Sequence, residues 1–488
     1  MTHNVITREW INKDFAIHTI DVNNGKIERT VDKEQFFQMI DFWKVILQEK
    51  YKAAAGQTCL LWSAQTDSYY YSAIFAVLEL GMTLTIDMPH AVGPEDLYRE
   101  KINMHGKIDI AIVNDDDHNP DIAGFKLWDM ISHYRICNSV VYISEFDTYQ
   151  VQDPTNYDTY RNKISVDPDT VAMQFPSSGT TGKAKTNRVN HKTLVGLSSR
   201  MMDIADCKHD GNSLHIRNLH HGLNVAHHFL PTFNGCANHY VCNYHPGRFD
   251  TLANAIYDYK ITNVLLYIAD VLTEWARLTP VLEHNITVGT LFQIPTEVSE
   301  LAKTKNISKI QSYFGATNVG SPIFVKTVTP ETDIAAYDHK NFGTPVDNFF
   351  NIELRDNLLW ASIPSVEQDW RTTEDTFELV NNEYIFHGRG NIFRINEVWV
   401  RLHDLENDVL ATLGDSATIV IDNDEQKIYL AVWDSADEAP FVDLFKTKYP
   451  SLKISTILKG FPREKFFSSR KMDRSAIRDY CRSQTIKF

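Results

Sequence analysis

Residues 177–185 read Ser-Ser-Gly-Thr-Thr-Gly-Lys-Ala-Lys, a run of hydroxyls, two glycines and two lysines whose chemistry is that of an anion cradle. Glycine lets the backbone approach a ligand closely and take a positive φ. The hydroxyl and amide groups can donate to phosphate oxygens, and Lys185 can neutralise them. The segment is not the P-loop pattern G-x-x-x-x-G-K-[ST]. Only Thr180 and Thr181 separate Gly179 from Gly182. A polar surface turn has the same composition, so the loop by itself specifies only anion affinity.

Elements around it must hold such a loop in place. A short apolar strand, Val171 to Phe175, leads into it. Upstream, Phe36, Phe37, Ile40, Trp43 and Leu47 fall at helical spacing behind a capping residue, Asp32. Residues 59–62 read as a buried strand, 69–80 as a helix and 82–86 as a second strand, a β-α-β unit that implies a parallel sheet. Further buried strands are expected at 109–113 and 139–144, with Asn114 to Asp117 a solvated loop. Beyond the glycine loop a second α/β block alternates helix 249–259, strand 262–267 and helix 271–278. The texture changes near residue 390. Strands 418–421 and 427–433 form a hairpin pattern, followed by a helix over 441–449 and a strand over 452–458.

With 488 residues, 43% of them hydrophobic, the chain can bury more than one core. No apolar run is long enough for a membrane span, and the polar start Met-Thr-His-Asn-Val carries no leader pattern. The six cysteines are scattered, which suits a reducing compartment, and a cytoplasmic location is expected. A formal charge of −15 argues against binding along a nucleic-acid backbone, although a local donor cluster can still hold a nucleotide. Between His209 and His245 stand eight histidines, with Cys236 and Cys242 among them. Their spacing fits no compact zinc template.

Other segments follow the loop in a particular order. Ser312-Tyr313-Phe314-Gly315-Ala316-Thr317-Asn318 sets an aromatic beside a glycine and a hydroxyl. Thr373-Glu374-Asp375 precedes Phe386-His387-Gly388-Arg389, and Lys471-Met472-Asp473-Arg474 stands close to the C-terminus. Taken in that order, the chain resembles the adenylate-forming superfamily of acyl-CoA synthetases, peptide-synthetase adenylation domains and luciferases. The resemblance implies an α/β fold of the adenylate-forming type. A large N-terminal multi-sheet αβ domain for AMP binding would span 1–390, and a small, mobile C-terminal α+β lid domain 391–488. It also implies ATP-dependent activation of a small carboxylic acid as acyl-AMP, with pyrophosphate released.

Carried over by position, Ser178, Gly179, Thr180, Thr181 and Gly182 resemble the family's phosphate loop and Lys185 its lysine, while His191 matches a histidine that commonly follows. Ala184 and Thr186 replace the usual proline and glycine. Phe314, next to Gly315, resembles the aromatic that stacks on adenine. Thr317 would contact the α-phosphate, Asp375 the ribose hydroxyls, and Arg389 the ribose or phosphate. His220 and His221 match the border of the acyl pocket. Lys471 resembles the lid lysine whose ammonium offsets charge on the attacked phosphoryl group, a role worth about 3–4 kcal/mol.

Three further segments depart from the pattern. Asn318 stands where the family has a glutamate that binds Mg²⁺ with ATP, and its amide oxygen lacks that charge. Asn396 and Glu397 occupy the place of a glycine pair beside the thiol tunnel. Arg470 replaces the glycine before Lys471, in a stretch about three residues longer than usual, so Lys465 is a second candidate for the lysine's role. The acceptor therefore stays open between a thiol (CoA, or phosphopantetheine on a separate acyl or peptidyl carrier protein) and an amine or hydroxyl. A nucleotide-binding homologue with reduced catalysis is the remaining alternative. The chain ends 17 residues after Lys471, and no attached carrier domain is expected.

Overall fold

The computed structural model describes residues 5–11, 13–62, 67–87, 107–113, 137–150, 165–177, 185–208, 210–216, 225–242, 248–266, 269–290, 294, 296–315, 322–333, 338, 340–355, 357–362, 370–389, 392–395, 398–422, 427–433, 437–461, 467–468, 471–472 and 474–485. Two large sheets dominate. The six-stranded sheet runs, edge to edge, Cys137–Tyr142, Ile108–Val113, Thr58–Trp62, Thr83–Asp87, Val171–Ser177 and Lys185–Asn190. Its first five strands are parallel, and the last returns antiparallel. The eight-stranded sheet runs Pro322–Val328, Lys309–Gly315, Thr287–Thr290, Asn263–Leu265, Asn212–Ile216, Asn238–Cys242, Ala16–Ile20 and Ile27–Asp32. Here six central strands are parallel, with one antiparallel strand at each edge.

The helices explain how the sheets are covered. In helix Lys33–Glu49, Asp32 accepts from the Gln35 amide while the Gln35 side chain accepts from the Asp32 amide, so two orphan amides are satisfied at the start. Its Phe36, Ile40, Trp43 and Leu47 are fully buried. Helix Ser68–Glu79, capped by Asp67, is buried on all sides, as its near-continuous apolar sequence requires. One hydrophobic cluster joins both helices to both sheets through Leu61, Leu84, Ile112, Ile17, Val241 and Phe324. A second cluster covers the other face of the eight-stranded sheet with helices Phe249–Asp258, Ala269–Leu278 and Thr296–Thr304.

The first cluster also encloses charge. Arg8 reaches Asp41 at 2.6 Å and Glu79 at 2.8 Å, and Lys44, only 1% exposed, reaches Glu79 at 3.3 Å. The two long helices and the N-terminal segment are thus tied by one carboxylate.

A four-stranded antiparallel sheet follows, Asn351–Arg355, Leu358–Ser362, Arg371–Val380 and Glu383–Arg389. Its last hairpin turns at Asn381 and Asn382, with φ of 52° and 67°, the left-handed pair that a two-residue hairpin turn needs. Beyond residue 391, strands Ala417–Asp422 and Lys427–Val432 pair antiparallel, and Thr456–Lys459 adds parallel to the second. Helices Leu402–Leu413 and Ala439–Lys448 pack on that sheet around a core of their own, and helix Arg474–Thr485 is tied to it by the Arg482–Asp422 ion pair. Strand 452–458 of the sequence reading shortens to Thr456–Lys459, and the N-terminal hairpin Ala16–Asp32 is an addition to it. The Asn114 to Asp117 loop lies outside the described residues. No described helix is long and apolar enough to cross a membrane.

Candidate nucleotide site

Strands Val171–Ser177 and Lys185–Asn190 pair so that Ser177 lies opposite Lys185. These two strands flank the glycine loop in the chain, and Lys185 is the first residue of the return strand. Ser178, Gly179, Thr180, Thr181 and Gly182 lie outside the described residues, as does the Lys185 side chain. Asn190 ends the return strand and at once caps helix His191–Ile204, its side chain accepting from the Thr193 amide at 2.8 Å. Hairpin and helix are thus one continuous support. His191, fully buried at the first position of that helix, has no hydrogen-bond partner on either ring nitrogen among the described residues, and burial pushes its pKa down to about 4.

Strand Lys309–Gly315 brings the second group. Phe314 is half-buried and Gly315 exposed. The Phe314 ring meets Phe342 at 4.8 Å, Phe377 at 5.3 Å and Phe386 at 5.4 Å between centroids, with the Phe377 contact edge-on. These contacts fix the plane of the ring while part of it stays in contact with solvent. Beneath it, Tyr313 is buried and donates to Gln311 at 3.0 Å. Strand Thr287–Thr290 approaches closely because Gly289 has no side chain. A Cβ there would stand 2.6 Å from the Tyr313 ring and 2.8 Å from Leu265. Thr317 and Asn318 lie outside the described residues.

The third group sits on the four-stranded sheet. Asp375 is directly opposite Arg389 across the antiparallel ladder, and it is 5% exposed. Its amide donates to Thr373 Oγ1 at 3.2 Å, whose hydroxyl in turn donates to the Leu359 carbonyl. Two residues further on, Phe377 carries the ring that abuts Phe314. The structure therefore brings together, through one edge-on aromatic contact, the Phe314 strand and the Asp375–Arg389 pair. The site thus presents a half-buried ring, an exposed glycine and a buried carboxylate whose ladder partner is an arginine.

Lys471 is carried by a different sheet, the short hairpin in which it pairs with Ser468. Its side chain, Lys465, Arg470, Asn396 and Glu397 lie outside the described residues, and so do His220 and His221. The strand that leads to those histidines, Asn212–Ile216, contributes instead to a buried imidazole cluster. Ser213 Oγ lies 2.8 Å from His239 Nδ1 and 3.1 Å from His215 Nε2, and His228 Nε2 donates to the Leu214 carbonyl at 3.0 Å. The His239 ring stacks on Phe233 at 4.1 Å. Burial holds all three imidazoles neutral, His228 at about 4 and the other two well below the ordinary value. Among the described residues no group of histidine, cysteine or acidic side chains is arranged to hold a metal.

The sequence reading found Phe314, Asp375 and Arg389 as separate marks and missed the sheet that unites two of them. Its signal was the Asn-Asn turn at 381–382 between two short runs that contain β-prone residues.

Comparison with known proteins gives this arrangement a family context. A model of the AMP-binding enzyme family matches residues 53–356. No curated protein sequence matches the chain. Among solved structures, it is similar to the fatty acyl-adenylate ligases of E. coli and L. pneumophila, with a TM-score of 0.73 at 12% identity, covering 98% of this chain and 97% of the other. It is also similar to McyG A-PCP complexed with phenylalanyl-adenylate (TM-score 0.71, 13% identity, 98% and 96% covered). A third relative is the o-succinylbenzoate coenzyme A synthetase MenE of Bacillus subtilis in complex with ATP and magnesium ion (TM-score 0.70, 15% identity, 97% and 98% covered). At these identities the likeness is one of fold.

Proposed function

The chain belongs to the AMP-binding enzyme family of adenylate-forming enzymes, and from that premise we propose that it uses ATP to convert a small carboxylic acid into its acyl-adenylate, and then passes the acyl group to a thiol. The observation that carries the nucleotide half of this reading is the Phe314–Phe377 contact, which sets a stacking ring beside the strand bearing Asp375 opposite Arg389. Adenine would lie on Phe314. Asp375 would accept from the ribose hydroxyls, as a buried carboxylate does most strongly when its partners are few and fixed. Arg389 would add a donor on the same ladder rung.

The glycine loop would hold the triphosphate, with Ser178, Thr180, Thr181 and the backbone of Gly179 and Gly182 as donors and Lys185 as the counter-charge. A carboxylate oxygen attacks the α-phosphorus, the bond to the β-phosphate bridging oxygen breaks, and pyrophosphate leaves. Thr317 would steady the α-phosphate oxygens, and Lys471 would stabilise the charge that builds there. Magnesium would arrive with ATP, and Asn318 could add an amide oxygen to its shell. His220 and His221 would border the acid.

We take residues 391–488 as the lid that brings Lys471 to the site. The separate cores of that segment support the division at 390. The relatives' A-PCP and coenzyme A synthetase names support a thiol acceptor without choosing the acid.

The test is acid-dependent ATP–pyrophosphate exchange across a panel of carboxylates, with Lys471→Ala in parallel. Exchange should appear with at least one acid and fall about 10²–10³-fold in the variant. Wild-type exchange in Lys471→Ala would remove the lysine from the mechanism. ATP binding with no exchange for any acid would favour the non-catalytic alternative. Supplying CoA, then amines, after acyl-AMP has formed decides the acceptor.

A further inference from the structure

Arg200 stands on helix His191–Ile204, ten residues past the cap that joins this helix to the glycine-loop hairpin. Its guanidinium is buried and divides itself between two other segments. Nε pairs with Asp347 Oδ2 at 2.5 Å, and Nη1 donates to the Pro322 carbonyl at 2.5 Å. The same plane lies over the rings of Phe349 and Phe350, at 5.3 and 5.1 Å from their centroids.

Each contact falls at a junction. Pro322 is the register partner of Gly315, so it is the far stem of the segment that begins after Phe314-Gly315 and contains Thr317 and Asn318. Asp347 also accepts from the Phe349 amide at 3.0 Å, and the chain runs on directly into Asn351–Arg355, the first strand of the sheet that holds Asp375 and Arg389. The Val346 amide meanwhile donates to the Ile323 carbonyl, closing the triangle from the other side. One side chain therefore spans the supports of the glycine loop, of the Phe314 segment and of the Asp375 sheet.

Resting on the nucleotide reading above, the geometry points to Arg200 as a positioning residue that sets the distance between the triphosphate, adenine and ribose contacts, without touching the nucleotide itself. A guanidinium is suited to this because its planar fork directs donors to two acceptors at fixed angles while its faces stack on aromatic rings. An ammonium is a point charge and cannot hold both acceptors in that geometry.

The test uses the full chain and three variants, Arg200→Lys, Arg200→Met and Asp347→Asn, each measured for ATP Kd by calorimetry, for KM of ATP and of the acid in pyrophosphate exchange, and for Tm. Arg200→Lys should bind ATP about tenfold more weakly, with KM for the acid unchanged. Asp347→Asn should shift Kd in the same direction. Exchange at saturating ATP should fall on the order of tenfold or more, because misplaced reacting groups are costly. A side chain that merely holds the fold would lower Tm while the folded protein kept the wild-type Kd, and that result in Arg200→Lys and Asp347→Asn overturns the assignment. Wild-type protein that binds no ATP overturns the nucleotide reading and this inference together. If Arg200→Met does not fold, the other two variants still decide.

Discussion

Acidification should destabilise this protein well above the range in which its carboxylates titrate. His228 is buried and neutral, donating through Nε2 to the Leu214 carbonyl, and burial lowers its pKa from 6.5 to about 4 despite that bond. His191 is lowered to about 4 by burial alone. In the unfolded chain both imidazoles take a proton near 6.5. A depressed histidine pKa means that the unfolded state binds more protons, so stability is intact above 6.5 and falls as pH drops towards 4. At pH 5 the gap is about one and a half pH units for each group, or about 2 kcal/mol each at 1.36 kcal/mol per unit. His215 and His239, lowered further by burial and by each other's neighbours, act in the same direction. The loss at pH 5 is then at least about 4 kcal/mol, a large fraction of a domain's stability. Groups around the cluster that also bear charge are Lys13 and His18, both of which disfavour a further positive charge on His239. Urea unfolding at pH 7, 6 and 5, followed by tryptophan fluorescence, reads the slope directly. Wild type should lose more than 1.4 kcal/mol per pH unit between 6 and 5, and His228→Asn should reduce that slope by about 1.4. A flat wild-type profile down to pH 5, or an unchanged slope in the variant, would refute the assignment of neutral buried imidazoles.

Glu79→Gln removes the carboxylate shared by Arg8 and Lys44 and should cost about 3–5 kcal/mol in a chemical denaturation experiment, since it leaves buried cations facing an amide. Burial raises the Glu79 pKa, but Arg8 and Lys44 outweigh it and the net direction is down, so its contribution is present above the ordinary 4.5 and is lost as pH falls through the depressed value. The Glu79 loss therefore begins only at the acid end of the histidine window, and most of the histidine loss should precede it in a pH series. Asp375→Ala should weaken ATP binding by about tenfold or more while leaving the acid's KM unchanged; an equal change in both would assign Asp375 to the fold and not to the ribose.

Much of the local structure was legible because it depends on neighbours in sequence. Asp32 and Gln35 with Phe36, Ile40, Trp43 and Leu47 contain their helix entirely, cap and buried face alike. The strand before the glycine loop and the β-α-β unit at 58–87 are read from runs and periods in the same way, and the structure places them within one or two residues. Phe314, Asp375 and Arg389 could be marked from their order along the chain, but nothing local says that Phe377 links them.

Pairing across long separations was decided only in three dimensions. Ala16–Ile20 lies parallel to Asn238–Cys242, so the first hairpin completes the sheet of the second half of the chain and not that of its own neighbours. A strand's sequence specifies its two faces and not which edge it will meet, because backbone donors and acceptors are the same at every edge. The same reason hides Arg200, whose helix position reads as an ordinary polar residue until Asp347 and the Pro322 carbonyl converge on it. Residue types and their order determined the family and the candidate chemistry. Which of their segments meet, and what ties those segments together, came from the packing of parts of the chain more than a hundred residues apart, as Arg200 and Asp347 are.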